Sequence, residues 1–227
     1  MADRIVKLNP IRKFIADKLR HSVTTNPHAS HFCHVDATKM LELKKKLAEQ
    51  GEKVTITAIV TAALAQVLTE MPDLNSSING DVVTYYEHVN PALAMNSPRG
   101  LYVLTVKNAE ELGVVGISHA MADLRTRLLE NKITVDDMKG SSVTLTSLGK
   151  CRTNFCTSIL NDDQCLIIGV GMTQKEAVVE EDGSIVAKDM MWLIINYNHS
   201  ITDGTPISNF CDRFCEVVEN PEEFIKL

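Results

Sequence analysis

MMWLIINYNHSITDGTPISNF, residues 190–210, is the stretch that decides how this 227-residue chain is read. Residues 192–197 are β-branched and aromatic enough for a buried strand. Asp203-Gly204-Thr205-Pro206 is a stop-and-restart signal, after which apolar residues recur at helical spacing. The strand therefore delivers His199 just past its end, where a rigid scaffold presents side chains to ligands. A neutral imidazole is suited to taking a proton from a thiol or hydroxyl near neutral pH. Asp203, just before the permissive Gly204, has two readings: the N-cap of the following helix, or a partner for a cation.

The bulk numbers narrow the field. With 44% hydrophobic residues the chain is long enough for one domain with a substantial core. A net charge of -6 and an aromatic content of 5% argue against a nucleic-acid partner. The opening MADRIVKLNP lacks the apolar core of a signal peptide, and the most apolar helical run, residues 56–68, is too short and too Thr-rich to cross a bilayer. The expectation is a soluble, cytoplasmic protein with neither nucleic-acid nor membrane partners. Cys33, Cys151, Cys156, Cys165, Cys211 and Cys215 form no CxxC pair and read as free buried thiols. Cys211 and Cys215 share a helix face, but no Cys/His pair of suitable spacing accompanies them in sequence, so no metal is expected.

Outward from the opening stretch, residues 11–20 carry apolar residues at 11, 14, 15 and 19, the stripe of an amphipathic helix ending before a polar segment. A strand is expected at 30–35, a helix at 37–50 closed by Gly51, and a more buried helix at 57–69 ended by Met71-Pro72. Turns at Asn79-Gly80-Asp81 and Pro98-Arg99-Gly100 divide a β-rich middle, followed by a helix over 114–131. Later strands are expected at 142–148, 164–170, 175–179 and 184–197, with Glu181-Asp182-Gly183 as a hairpin turn. A helix over 206–218 and a short PEEFIKL tail close the chain. With no repeat or low-complexity linker, this pattern predicts an α+β fold, one mixed sheet packed under helices.

Several stretches together carry a resemblance: IRKFIADKL, Pro27-His28, TAIVTAALAQVLTEMPDLNSSING, LYVLTVKNAEELGV, LLENKITVDDMKGSSVTLTSLG, NHSITDG and ENPEEFIKL. In that order, over nearly the whole chain, they resemble the catalytic core domain of the dihydrolipoamide acyltransferases of 2-oxo acid dehydrogenase complexes. The resemblance implies a chloramphenicol acetyltransferase-like two-layer fold and acyl transfer between coenzyme A and a thiol, most simply dihydrolipoamide. It implies His199 as general base and Thr146 as hydrogen-bond donor to the tetrahedral intermediate. Asp203 would support the histidine loop through a salt bridge to Arg12, with Asn198 and Gly204 as further supports. It implies no tightly bound cofactor, coenzyme A as co-substrate, and a lipoyl group carried on a separate domain or protein. It also implies a homotrimer with its active site at the subunit boundary, and a tail by which trimers dock into a larger cubic assembly.

The chain departs from the family pattern at Ser200, where the family has arginine, at Thr205 for alanine, and at Asn161-Asp162-Asp163 in place of a proline-containing segment, read here as a turn variant. The expectation is a single catalytic domain over residues 1–227 with no lipoyl or subunit-binding domain within them, either an excised core or a stand-alone protein. Two other functions fit the same residues: a stand-alone O- or N-acetyltransferase like chloramphenicol acetyltransferase, and a non-catalytic scaffold subunit.

Overall fold

The computed structural model of the protein describes residues 3–148 and 153–227, so Cys151 lies outside the described residues. The main sheet is ordered by one long element, β9 (Ile185–Asn198), which is paired along its whole length. Its first half forms an antiparallel hairpin with β8 (Gln174–Val179). Its second half lies between β1 (His28–Asp36) and β7 (Leu166–Val170), antiparallel to both. Beyond β7 come β6 (Val143–Ser147), β4 (Pro91–Ser97) and the edge strand β5 (Gly100–Thr105). The β7–β6 and β6–β4 pairs are parallel, which makes this a mixed sheet of seven strands among the described residues. A separate hairpin, β2 (Ser76–Asn79) with β3 (Val82–Tyr85), turns at Gly80-Asp81.

Helices α2 (Thr38–Glu49), α3 (Ile56–Glu70), α4 (Ala109–Leu129) and α5 (Gly204–Glu219) enclose the core against one face of the sheet. Helix α3 is buried along nearly its whole length, from Ala58 to Leu68. It is fixed at its start by the Thr55 hydroxyl, which accepts from the Ala58 amide at 3.1 Å. Phe210 and Phe214 of α5 are fully buried. The amphipathic pattern after Gly204 thus pins the strand end that carries His199 to the core. No described helix is long and apolar enough to cross a membrane.

Two expectations need correction. Helix α1 spans Pro10–Thr25 and does not stop before the polar HSVTT segment, because Ser22 is buried there and donates to the Leu160 carbonyl at 2.8 Å. It stops at Asn26, ahead of Pro27, which disfavours helical backbone in the residue before it. On α1, Phe14, Leu19 and Val23 are exposed, as are Ile5, Val6 and Leu8 before the helix, while Ile15 is half-buried. The helix over 114–131 starts as expected only after a break, for Gly113 at φ +67° and ψ 179° separates a first turn from the rest of α4.

The sheet face away from α2–α5 is partly covered by the chain's own strap, residues 153–165. Phe155 packs against Phe32 and Trp192, and the Ser158 amide donates to the Asn196 side chain. Gly171 accommodates this strap, since a Cβ there would lie 2.2 Å from the Asn154 carbonyl oxygen. The tail folds back on its own subunit. Ile225 is buried, and the Lys226 carbonyl accepts from the Val114 amide at 2.9 Å.

Candidate active site

The loop after β9 is built on Asn198. Its side chain is fully buried, and both ends of the amide are used: Oδ1 accepts from the Ser200 amide at 3.0 Å and Nδ2 donates to Asn26 Oδ1 at 3.0 Å. Asn26 passes the support on, donating through Nδ2 to Asp163 Oδ1 at 3.1 Å and to the Asp162 carbonyl. The next residue is clamped through its backbone, the His199 amide donating to the Pro27 carbonyl at 2.8 Å. The imidazole itself is 43% exposed and tilts against the Tyr197 ring at 5.3 Å between centroids. A rigid backbone thus carries a solvent-reachable ring, the arrangement needed for proton transfer to a substrate.

Asp203 Oδ1 lies 3.7 Å from His199 Nδ1, too long for a hydrogen bond but close enough to favour one orientation of the ring. Asp203 occupies the N-cap position of α5, yet its carboxylate makes no capping hydrogen bond and is 87% exposed. The expected pair with Arg12 is not formed; among the described residues the ion-pair partner of Asp203 is His199. The geometry of α1 explains this: Arg12 sits 14 residues before Asn26, about 21 Å along a helix at 1.5 Å per residue. Gly204 opens α5 with free space around its Cβ position and no left-handed backbone, so glycine is not sterically required there.

Thr146 lies elsewhere. In β6, Leu145 and Ser147 face the helix side, where both line a cleft, and Thr146 points to the opposite face, half-buried. Thr146 is level with Gly169 of β7, and Gly169 with Ile194 of β9, five residues short of His199. At ~3.3 Å per residue along a strand and ~4.8 Å between strands, Thr146 and His199 of one chain are about 19 Å apart.

Sequence reasoning missed the residues beneath this loop. Asn161-Asp162-Asp163 is not merely a turn variant: Asn161 donates to Thr144 Oγ1 at 3.1 Å, Asp162 takes left-handed backbone (φ 53°) and pairs with Lys18, and Asp163 holds Asn26. The signal available was the polar run itself, set against the Asn26-Pro27 step that precedes β1. The cleft beside Leu145 and Ser147 also carries Lys53, Ser118, Met121 and Arg125, around a volume of about 480 Å³. It joins an apolar wall to two exposed cations.

The chain as a whole matches a known family. Residues 1–226 match the model of the 2-oxoacid dehydrogenases acyltransferase (catalytic domain). The dihydrolipoyllysine-residue acetyltransferase component of the pyruvate dehydrogenase complex of Bacillus subtilis (strain 168) is 32% identical over 222 residues, 95% of this chain and 50% of that protein. The mitochondrial succinyltransferase component of the 2-oxoglutarate dehydrogenase complex of Saccharomyces cerevisiae is 28% identical over 97% of this chain and 48% of that protein. The chain thus spans about half the length of the curated relatives it matches. Among solved structures, a truncated catalytic core of the 2-oxoacid dehydrogenase multienzyme complex from Thermoplasma acidophilum superposes with a TM-score of 0.87 at 26% identity, covering 96% of this chain and 99% of that one. Chloramphenicol acetyltransferase shares the fold, with a TM-score of 0.55 at 14% identity, over 92% of this chain and 94% of that one. The chain is a member of the 2-oxoacid dehydrogenase acyltransferase (catalytic domain) family.

Proposed function

We propose that the chain transfers an acyl group between coenzyme A and the thiol of dihydrolipoamide, at a site assembled from two copies. The observation that carries this reading is the separation of His199 from Thr146 in one chain by about 19 Å, far beyond the reach of a single reacting centre. A neighbouring subunit must supply one of them. The exposed Phe14, Leu19 and Val23 of α1 favour such a neighbour, and a closed trimer gives each His199 a Thr146.

The chemistry follows from the groups. With Nδ1 turned toward Asp203, the other imidazole nitrogen of His199 is the one available to take the proton of the incoming thiol. The thiolate attacks the thioester carbonyl carbon, and the carbonyl oxygen becomes an oxyanion to which the partner-supplied Thr146 hydroxyl donates. Collapse breaks the bond to the leaving sulfur, which recovers the proton from the imidazolium. The cleft holding Lys53 and Arg125 beside Ser147 suits coenzyme A: its apolar wall fits the pantetheine arm and its cations fit the phosphates. The lipoyl group arrives on a separate domain or protein.

The test is an assay of acetyl-CoA with free dihydrolipoamide on the wild-type oligomer and His199→Ala. Thioester exchange that depends on His199 is expected. A well-folded oligomer inactive on the thiol but acetylating an alcohol or amine would transfer the reading to a different acceptor class.

A further inference from the structure

Cysteines that are scattered in sequence meet in the fold. His31 and Cys33 alternate onto the same side of β1, facing α5, whose residues Cys211 and Cys215 stand one helical turn apart. Cys211 Sγ lies 3.9 Å from His31 Nδ1, and Cys33 and Cys211 line one shared cavity wall, with Cys215 packed against the core beside them. Cys211 is buried, whereas Cys33 and Cys215 are half-buried. A cavity of about 400 Å³, lined by Cys33, His31, Cys211, Ser208 and Asp212, opens beside them.

The electrostatics single out one sulfur. The neighbouring Cys211 and then Cys215 thiols hold the Cys33 thiol far below its ordinary range, which favours Cys33 as the attacking sulfur. Cys211 and Cys215 are pushed the other way, chiefly by Cys33 itself and by burial. Cys156 is exposed, and Cys165 is an inert packing residue, its thiol pushed up to about 12 by burial. A tetrahedral metal site fits less well: among the described residues, the only three metal-ligating side chains with atoms all within 4.8 Å of one another are His88, Glu110 and Glu111.

We propose that Cys33 and Cys211 form a peroxide-sensitive thiol pair, in which Cys33 is the attacking sulfur, Cys211 the resolving one, and His31 the base beside it. The Cys33 thiolate attacks one oxygen of hydrogen peroxide; the O–O bond breaks, leaving a sulfenic acid and a hydroxide that is protonated to water. Cys211 gives its proton to His31 Nδ1 and attacks the Cys33 sulfur. The S–S bond forms, the S–O bond breaks, and the departing hydroxide takes that proton as a second water. Two thiols lose two electrons, peroxide gains them, and a dithiol reverses the change. The disulfide would tie β1 to α5, the two elements flanking the His199 loop, and His31 already packs edge-on against Tyr197, the neighbour of the His199 ring. The pair is independent of the acyl-transfer reading.

The experiment treats the native oligomer with hydrogen peroxide, blocks remaining thiols with N-ethylmaleimide and maps tryptic peptides without reduction. Trypsin cuts after Arg213, between Cys211 and Cys215, so the linked peptide names its partner. The expected result is a Cys33–Cys211 link that dithiothreitol removes, that survives Cys215→Ser and that is lost in Cys33→Ser. In Cys211→Ser, Cys33 should instead be trapped as a dimedone-reactive sulfenic acid. Unmodified Cys33 under conditions that oxidise Cys156, or a link to Cys215 in the wild type, would overturn the assignment.

Discussion

Thr146 and His199 are held apart by the register of one sheet: Thr146 is level with Ile194 through Gly169, and β9 runs four residues further before it releases His199 at its end. Neither residue can shorten that distance by a side-chain rotation, because β9 is buried and paired on both sides. A base and an oxyanion donor placed this way serve one reaction only across a boundary between copies. Several consequences can be measured.

Removing the imidazole should abolish proton transfer without disturbing the fold, since His199 is anchored through its backbone amide to Pro27. His199→Ala is expected to lower kcat by about 10²–10⁴ with an unchanged melting midpoint. A kinetic assay beside a thermal melt checks both halves; a large loss of stability would mean that the ring itself holds the loop.

Asn198 has the opposite profile. Asn198→Ala leaves Asn26 Oδ1 without a partner in a buried site, a cost of about 1–3 kcal/mol, and removes the anchor of the more exposed Ser200 amide. Urea unfolding should show a lower midpoint, and activity should fall with loop order. Asn198→Asp, which keeps the Ser200 contact but turns a buried carboxylate oxygen on Asn26 Oδ1, should lower the midpoint at least as far at neutral pH.

The acid limb of stability should depend on Asp137. The Arg127 guanidinium, at 2.8 Å, and then the Thr134 amide and hydroxyl hold its carboxyl down to about 2, below the ordinary 3.8. A depressed carboxyl contributes stability that is fully present above its unfolded value and is lost as pH falls through the folded one. Relative to wild type, Asp137→Asn should melt lower at neutral pH, and the gap should close as pH drops from about 4 to about 2. A gap that widens on acidification would contradict the pairing.

Gly113 is the joint on which the tail rests. Its φ of +67° is left-handed, and a Cβ would lie 2.9 Å from the carbonyl oxygens of both Lys226 and Leu227. Gly113→Ala is expected to cost about 1–3 kcal/mol and to free the last residues. Faster carboxypeptidase trimming of the variant would report the release.

The β9 strand, the helix restart at Gly204 and the α3 boundary at Met71-Pro72 were legible because periodicity and turn chemistry act over a few residues. The boundary of α1 was not, because a buried contact between Ser22 and Leu160, 138 residues apart, overrides local polarity. The Arg12–Asp203 pair was expected from likeness alone, and the length of α1 prevents it within one chain. The buttress through Asn26 and Asp163, and the meeting of His31 and Cys33 with Cys211 and Cys215, depend on which strand lies beside which helix, and sequence spacing carries no record of that. Of the six cysteines read as buried free thiols, the described five are free, but only Cys165 and Cys211 are buried.

The measurement that tests the two-copy site most directly mixes variants. His199→Ala and Thr146→Ala, each expected to retain only a small residue of activity, are co-refolded in equal amounts and the mixed oligomers are confirmed by native mass spectrometry. If each site pairs His199 of one copy with Thr146 of the next, random assembly restores about a quarter of wild-type activity. Mixed oligomers no more active than the two separate variants would contradict the account.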